Sequence, residues 1–189
     1  MPKTAMLALG LGAILMGEPA PTCAADRTPE EVRALVKDAN ARGLVRRAMK
    51  TKLVDVRPAR PGEVIVTILA GEGKETQSRP AIEGDRVVRN RCGATGNEEY
   101  LVAADKFEER YESTGKPAGA DGWQEYRPLG KVVRFFLLKP EHGEFAFTAP
   151  WGERMIAKPG DAIVQDPKDE RDTYRVAAAA FACAYEVLD

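Results

Sequence analysis

Nucleophilic catalysis is the chemistry for which this sequence offers least. The only histidine of the 189-residue chain is His142, and it lies in 139–143 (KPEHG), a segment with the proline and glycine of a turn. A serine or cysteine nucleophile normally needs a positioned base, most often a histidine. We therefore expect His142 to occupy a solvated turn, and the sequence predicts no catalytic residue of this kind.

Two aspartates are candidates for acid–base chemistry. Asp85 and Asp161 follow Gly84 and Gly160 in segments that match each other, and two carboxylates that face each other can catalyse hydrolysis or isomerisation. Gly-Asp is also typical of tight turns, where glycine takes a backbone conformation that other residues avoid and aspartate accepts hydrogen bonds from nearby amides. We favour this structural role for all four residues and keep catalysis as the alternative.

Metal and cofactor binding lack sequence support. The acidic segment 166–172 has four carboxylates but neither the alternating spacing nor the central glycine of a calcium loop. No cysteine and histidine spacing indicates zinc, and no glycine-rich phosphate loop follows a strand. The sequence predicts a solvated acidic loop, no metal and no cofactor.

Trp151 is the strongest candidate for ligand contact. It lies in 149–152 (APWG), which reads as a turn, and turns usually lie at the surface. An exposed indole can stack on a sugar or a peptide, and Trp123 and Tyr126 could join it. In the alternative interpretation Trp151 packs back onto the rest of the fold.

Charge argues against nucleic acid as a partner. The net charge is -1, and the basic segment 42–52 has no interleaved aromatic residues. Nucleic-acid binding normally requires a basic domain or patch. We expect this segment to be a solvated lead-in to the first strand.

The first 25 residues have the pattern of a secretory signal peptide. Lys3 supplies the positive charge, 5–17 is an apolar run, and Cys23-Ala24-Ala25 offers small residues before Asp26. The run is shorter than the roughly 20 residues that span a bilayer. The pattern predicts a periplasmic or secreted protein without a transmembrane segment after cleavage; an uncleaved anchor or a buried helix is the alternative.

Cleavage would leave Cys92 and Cys183. An oxidising compartment favours a disulfide between such a pair. Two separate buried thiols are the alternative.

A helix opens the chain after this segment, within 26–43. Thr28 and Glu31 have the spacing of a capping box, and Pro29 suits the first turn. Val32, Leu35, Val36 and Ala39 share one face, at the spacing of an amphipathic helix.

An internal repeat organises the rest of the chain. Segment 100–112 (YLVAADKFEERYE) and segment 174–186 (YRVAAAAFACAYE) share seven of 13 positions, and the Gly-Asp turns precede them at similar distances. In each copy the pattern predicts strands, then the Gly-Asp turn, then a further hairpin. A short helix follows, with an aromatic pair on the face that packs on the core. Strands are also expected at 131–138 and 144–148, joined as a hairpin through 139–143. We predict repeat units at 44–112 and 126–189, joined by a linker at 113–125.

The second copy resembles a group of small bacterial and phage proteins known by a PGDYG-type motif. The residues that carry the resemblance are Pro159-Gly160-Asp161-Ala162-Ile163-Val164, Tyr174-Arg175-Val176 and Phe181 to Glu186; the first copy matches more loosely. Arg86 and Ala162 stand where the motif has tyrosine. The resemblance implies a fold and no catalytic residues.

These patterns predict an α+β fold of two tandem, strand-rich and partly barrel-like units, each with a short C-terminal helix, behind an N-terminal helix. The favoured function is an exported, non-enzymatic accessory or binding protein of the bacterial envelope, with an envelope protein, a saccharide or a peptide as partner. The alternatives are an envelope hydrolase or isomerase that uses carboxylates, and an inhibitor or chaperone-like partner of another envelope protein.

Overall fold

Strands dominate the structure, a computed structural model that describes residues 24–188. They make up 41% of it, against 20% helix, which confirms the strand-rich prediction. The predicted signal peptide, 1–25, lies outside the described residues except for its last two. Within 24–188 no helix is long and apolar enough to cross a membrane. The three α-helices are α1 (Pro29–Ala41), α2 (Ala104–Arg110) and α3 (Ala178–Ala184).

Fifteen strands fall into two large sheets and two smaller ones. The strands are β1 (Ala25–Asp26), β2 (Arg46–Lys50), β3 (Val54–Pro58), β4 (Val66–Leu69), β5 (Gly73–Gln77), β6 (Arg86–Asn90), β7 (Glu99–Val102), β8 (Tyr111–Ser113), β9 (Gln124–Pro128), β10 (Val132–Leu137), β11 (Phe145–Thr148), β12 (Arg154–Ala157), β13 (Ala162–Asp166), β14 (Asp169–Val176) and β15 (Tyr185–Val187).

The two large sheets have corresponding strand orders. The first sheet runs β7-β6-β3-β9-β8 and the second runs β14-β13-β10-β2-β15. In each sheet the helix, α2 or α3, connects one edge strand to the opposite edge. The predicted barrel-like closure is wrong, because the edge strands pair only with their inner neighbours and both sheets stay open.

The first half of the chain carries β2–β8 and the second half carries β9–β15, and each large sheet includes one strand from the other half. Strand β2 precedes the first sheet in the chain but pairs with β10 and β15 of the second. Strand β9 directly precedes β10 of the second sheet in the chain but pairs with β3 and β8 of the first sheet. The two halves are therefore interlocked. Lys50, the last residue of β2 in the second sheet, contacts residues of the first sheet.

A hairpin is inserted into each half. Strands β4 and β5 form one, and β11 and β12 form the other. The predicted pairing of 131–138 with 144–148 is wrong, because a 3-10 turn at Pro140–His142 leads the chain out of the second sheet. Strand β11 then pairs with β12 and with β1, while β10 pairs with β13 and β2.

Two inner strands, β6 and β13, are fully buried at their β-branched residues. Val87 and Val88 of β6 and Ile163 and Val164 of β13 have no exposed surface. Each pair is β-branched, as suits a strand that is covered on both faces.

Helix α1 packs on the second half. The Thr28 side chain accepts a hydrogen bond from the Glu31 amide at 3.2 Å, and the Glu31 carboxylate accepts one from the Thr28 amide at 2.7 Å. Val32 and Val36 then bury against a cluster that includes Phe136, so the apolar face of the helix, rather than its intrinsic propensity, stabilises it here.

A disulfide joins the halves, which confirms the predicted pair. Cys92 and Cys183 are bonded, with 6.1 Å between their Cα atoms. Cys92 precedes a 3-10 turn after β6, and Cys183 lies in α3. The bridge fixes this helix against the first half.

Candidate functional site between the two sheets

A cleft is lined by residues of both large sheets. Its cavity has a volume of about 160 Å³, and an outer groove of about 410 Å³ shares part of its lining. Arg110 and Trp151 line both spaces. Ligand pockets commonly enclose 300 Å³ or more, so the inner cavity suits a small group and the outer groove gives room for the rest of a ligand. The inner lining includes Lys50, Asn90, Tyr100, Tyr111, Trp151 and Tyr174.

Lys50 forms the polar floor of the cleft. Its ammonium donates to Asn90 Oδ1 at 2.8 Å, to the Tyr100 hydroxyl at 2.6 Å and to the Tyr111 hydroxyl at 3.3 Å. An ammonium group has three donors, so three neutral oxygens satisfy it. Within residues 24–188 no carboxylate lies within ion-pair distance of Lys50.

The two phenols of this group behave differently. Their hydroxyl oxygens are 3.0 Å apart. Burial raises the pKa of Tyr111, but the charge of Lys50 and hydrogen bonds from Tyr100 and Lys50 bring its pKa below the ordinary tyrosine value. Burial, followed by the neighbouring Tyr111, raises the pKa of Tyr100 well above that value. The pKa values of the two neighbouring phenols are therefore shifted in opposite directions.

A buried hydrogen-bond chain continues behind Lys50. The Asn90 amide donates to Glu98 Oε1 at 2.6 Å, and the Thr95 hydroxyl donates to the other oxygen of the same carboxylate. Asn90 therefore links the positive charge of Lys50 to the buried negative charge of Glu98. Such a network is stable only while its members remain paired.

A second tyrosine pair lies in the other half of the cleft. Tyr174 and Tyr185 occupy the positions in segment 174–186 that match Tyr100 and Tyr111 in segment 100–112, and they line the same cavity. Burial, partly opposed by Arg110, raises the pKa of Tyr174, and burial followed by Tyr174 raises the pKa of Tyr185 well above the ordinary value.

The cations beside the two pairs explain this difference. Lys50 lies opposite Tyr185 in the second sheet, but its ammonium donates to Tyr100 and Tyr111. The corresponding residue opposite Tyr111 in the first sheet is Pro128, which has no cationic side chain. Arg110, which approaches the second pair, is engaged by Asp172 at 2.9 Å.

Trp151 stands at the rim of the cleft. It is 40% exposed, and its ring centroid is 5.5 Å from that of Tyr174. The turn that carries it is closed by a hydrogen bond from the Gly152 amide to the Ala149 carbonyl at 2.9 Å. The indole thus offers an apolar surface between the cavity and the outer groove.

The other two aromatic candidates lie elsewhere. Trp123 is covered by the guanidinium groups of Arg57 and Arg89, at 5.3 and 4.1 Å from its ring centroid. Tyr126 packs edge-on against Phe107 at 5.1 Å. Both belong to the first sheet and its packing, and the structure does not bring them together with Trp151 in the cleft.

The Gly-Asp turns hold their aspartates by local bonds. Gly84 and Gly160 have φ values of +93° and +96°, a region that favours glycine. Asp85 accepts from the Ile82 amide at 3.0 Å, and Asp161 accepts from the Lys158 amide at 3.0 Å. Each carboxylate is thereby committed to its own turn.

Each aspartate also binds an arginine, and here the turns differ. Arg79, which pairs with Asp85 at 2.7 Å, has a side chain that is 41% exposed. Arg175, which pairs with Asp161 at 2.7 Å, is 2% exposed and also contacts Glu75. Burial raises the pKa of Glu75 even though Arg175 opposes it. The second turn is therefore part of a buried ionic cluster.

The remaining sequence candidates are held by local bonds, although Asp166 and Asp169 also line the outer groove. His142 caps its own turn, with Nδ1 accepting from the Lys139 amide at 2.9 Å. Asp166 pairs with Lys131 at 2.6 Å and Asp169 with Arg171. In the described part of the chain no group of three or more potential ligands is arranged to hold a metal ion.

Sequence reasoning missed Lys50 and the acid–base character of Tyr111. The repeat placed Tyr111 with Phe107 on a core face, and the rings do stack, at 5.3 Å. A buried phenol still needs a hydrogen-bond partner for its hydroxyl group. That requirement could have indicated that a polar residue lies beside Tyr111. Lys50 falls in the basic segment 42–52, and only the exchange of β2 between the halves places it beside Tyr111.

No protein-family model, curated protein or solved structure matches this chain. The function is therefore argued from the cleft.

Proposed function

We propose that this protein is an exported binding or accessory protein of the bacterial envelope that holds a small ligand in the cleft. The observation that carries the proposal is the combination of an exposed indole at the rim with a polar floor below it. Trp151 is 40% exposed beside Tyr174, and the floor consists of Lys50 with the hydroxyl groups of Tyr100 and Tyr111. Ligand sites characteristically combine an apolar wall with a few convergent polar groups.

The chemistry of the cleft favours a saccharide unit over a purely apolar compound. A sugar has an apolar face that stacks on an indole and hydroxyl groups that pair with phenols. The cavity of about 160 Å³ accepts one compact group, and the groove of about 410 Å³ accepts a continuation of the chain. A short peptide with one small polar side chain is the alternative ligand.

Native mass spectrometry of the protein recovered from its own cell envelope tests this proposal. We expect a bound mass on the wild-type chain and on Trp123→Phe, and its loss from Trp151→Ala. Trp123→Phe is the matched control because Trp123 lies against Arg57 and Arg89, away from the cleft. A bare wild-type chain, or equal occupancy in Trp151→Ala, would contradict the proposal.

Export is supported by two independent features. The pattern of residues 1–25 is that of a signal peptide, and a Cys92–Cys183 bridge suits an oxidising compartment. The same unreduced mass measurement tests it: the expected chain begins at Asp26 and lacks two hydrogen atoms. A full-length, reduced chain would overturn it.

We further propose that the two halves are copies of one ancestral unit that exchange their first strands. The sequence repeat, the corresponding strand orders and the reciprocal placement of β2 and β9 support this. Such an exchange makes the cleft a product of both halves.

A carboxylate enzyme is less well supported than binding. Asp85 and Asp161 are 1% and 2% exposed, and their oxygens accept bonds from their own turns. Neither of them lines the cleft.

A further inference from the structure

Trp151 and Glu153 lie on one turn and border the same two spaces. A hydrogen bond from the Ala149 amide to the Glu153 carbonyl at 2.8 Å closes the base of this turn. Both residues line the inner cavity and the outer groove of the cleft. A ligand that extends from the cavity into the groove therefore passes both of them.

The Glu153 carboxylate has no bonded partner inside the protein. It is half-buried, yet within residues 24–188 no group donates a hydrogen bond to it and no cation lies within ion-pair distance. Arg79 interacts with its charge at longer range, but that guanidinium is bound to Asp85 at 2.7 Å. Withdrawing an unpaired charge from water costs free energy, so a cationic group that enters the cleft is stabilised beside Glu153.

The other carboxylates that line the two spaces are already engaged. The pairs are Asp166 with Lys131, Asp169 with Arg171, Asp172 with Arg110 and Glu75 with Arg175, while Glu98 accepts from Asn90 and Thr95. In the described lining, Glu153 is thus the one carboxylate that a ligand reaches without displacing an existing bond.

The ring of Trp151 lacks the cationic neighbour that the other indole has. Trp123 has the guanidinium groups of Arg57 and Arg89 over its ring, at 5.3 and 4.1 Å from the centroid. No cation of the described chain lies over the Trp151 ring, which is exposed and contacts Tyr174. Indole attracts cations more strongly than the other aromatic side chains do, so this ring is open to a cation from a ligand.

We propose that the ligand of the cleft carries an ammonium group, which binds between the Trp151 indole and the Glu153 carboxylate. This inference rests on the proposed function and deepens it, because it names the charge of the ligand held in the same cleft. The indole supplies a cation–π contact, and the carboxylate supplies a charge-assisted hydrogen bond. An amino sugar and a peptide amine both present such a group.

The cations of the cleft leave this position open. Lys50 lines the inner cavity but not the outer groove, and oxygens of the floor accept from its ammonium. Arg110 lines both spaces, but Asp172 neutralises it at 2.9 Å. The ammonium group of the ligand therefore lies on the groove side, beside the indole, while its hydroxyl groups reach the floor.

The test is isothermal titration calorimetry at about pH 6, where amines are protonated, with two pairs of probes. One pair is the glucosamine disaccharide and its N-acetylated form, and the other is triglycine and N-acetyltriglycine. Within each pair the acetyl group removes the positive charge. We expect the amine form of at least one pair to bind wild type about tenfold more tightly than the acetylated form, and the pair that shows this preference identifies the source of the amine.

Glu153→Gln should abolish the preference for the amine, and Trp151→Ala should weaken it. Glu144→Gln is the matched control, because Glu144 is exposed and lines neither space, and it should keep the preference. The Glu153 carboxylate makes no bond in the described chain that the change to glutamine would break, so we expect this variant to unfold at the same urea concentration as wild type.

The proposal is overturned if neither pair shows a preference for the amine, or if the preference survives Glu153→Gln. Native mass spectrometry keeps this failure apart from that of the binding proposal. A bound mass that Glu153→Gln retains in full contradicts the ammonium contact alone, whereas a bare wild-type chain contradicts binding itself.

Discussion

The two tyrosine pairs of the cleft lie at matching positions of segments 100–112 and 174–186 but have different neighbours. Tyr100 and Tyr111 receive hydrogen bonds from Lys50, whereas among residues 24–188 no ammonium group donates to Tyr174 or Tyr185. In consequence the pKa of Tyr111 falls while the pKa of Tyr185 rises, although burial acts on both in the same direction. The charge and hydrogen bond of Lys50, at the end of β2, thus lower the pKa of one of two otherwise similar phenols.

The Gly-Asp turns give a second comparison, in which the halves differ in stability rather than chemistry. Asp85 is bound by an arginine that reaches solvent, so its partner can be rehydrated when the pair is lost. Asp161 is bound by a guanidinium that is 2% exposed. We therefore expect the loss of Asp161 to lower the free energy of unfolding more than the loss of Asp85.

The largest effect is expected from breaking that second turn. Asp161→Ala removes one of the carboxylates that pair with the buried Arg175 and should lower the free energy of unfolding by about 3–5 kcal/mol. Asp85→Ala removes turn bonds and an accessible partner, and should cost about 1–3 kcal/mol. Urea unfolding of the two variants measures the difference. Equal losses would mean that the burial of Arg175 does not matter.

The bridge between the halves should have the next largest effect. Replacing Cys92 and Cys183 together by alanine removes a cross-link with a sequence separation of 91 residues and should destabilise the chain by about 2–4 kcal/mol. Thermal unfolding under non-reducing conditions gives the value, with reduced wild-type protein as control. No change would indicate that the strand exchange alone holds the halves together.

At alkaline pH, Tyr111 and Tyr185 should change the free energy of unfolding in opposite directions. The pKa of Tyr185 is raised on folding, so above pH about 10 the unfolded phenol releases its proton first and stability falls. The pKa of Tyr111 is lowered, so the folded phenol releases its proton first and stability rises as pH approaches 10. Tyr185→Phe should therefore reduce the stability lost between pH about 8 and 11, and Tyr111→Phe should increase it.

The measurement is the free energy of unfolding of each variant at both pH values. The loss of a hydrogen bond from the neutral hydroxyl lowers this free energy equally at both pH values, so it cancels in the difference between them. If the two variants changed the pH dependence in the same direction, the proposed difference between the pairs would be wrong.

Local features of the fold could be predicted from sequence because their causes are local. The Thr28–Glu31 spacing, the β-branched pairs at 87–88 and 163–164, and the Gly-Asp turns each depend on residues that are neighbours in the chain. The cysteine pair was also predictable, since few partners were available.

The pairing of strands was not predictable in the same way. Whether β2 pairs within its own half or in the other depends on which long-range ladder and core it completes, and no residue in 46–50 encodes that choice. The barrel-like closure and the 131–148 hairpin were wrong for this reason. Lys50 was missed as a consequence, whereas the exposure of Trp151 was predictable because an exposed turn is a local property.

The most direct test of the central claim is a pH titration of phenolate absorbance on the folded protein. Of the five tyrosines, one should ionise below the ordinary pKa of about 10. That transition should vanish in Tyr111→Phe, move to higher pH in Lys50→Met and remain in Tyr185→Phe. If no tyrosine ionises early, or if Tyr185→Phe removes the early transition, then Lys50 does not distinguish the two pairs and the cleft has no poised phenol.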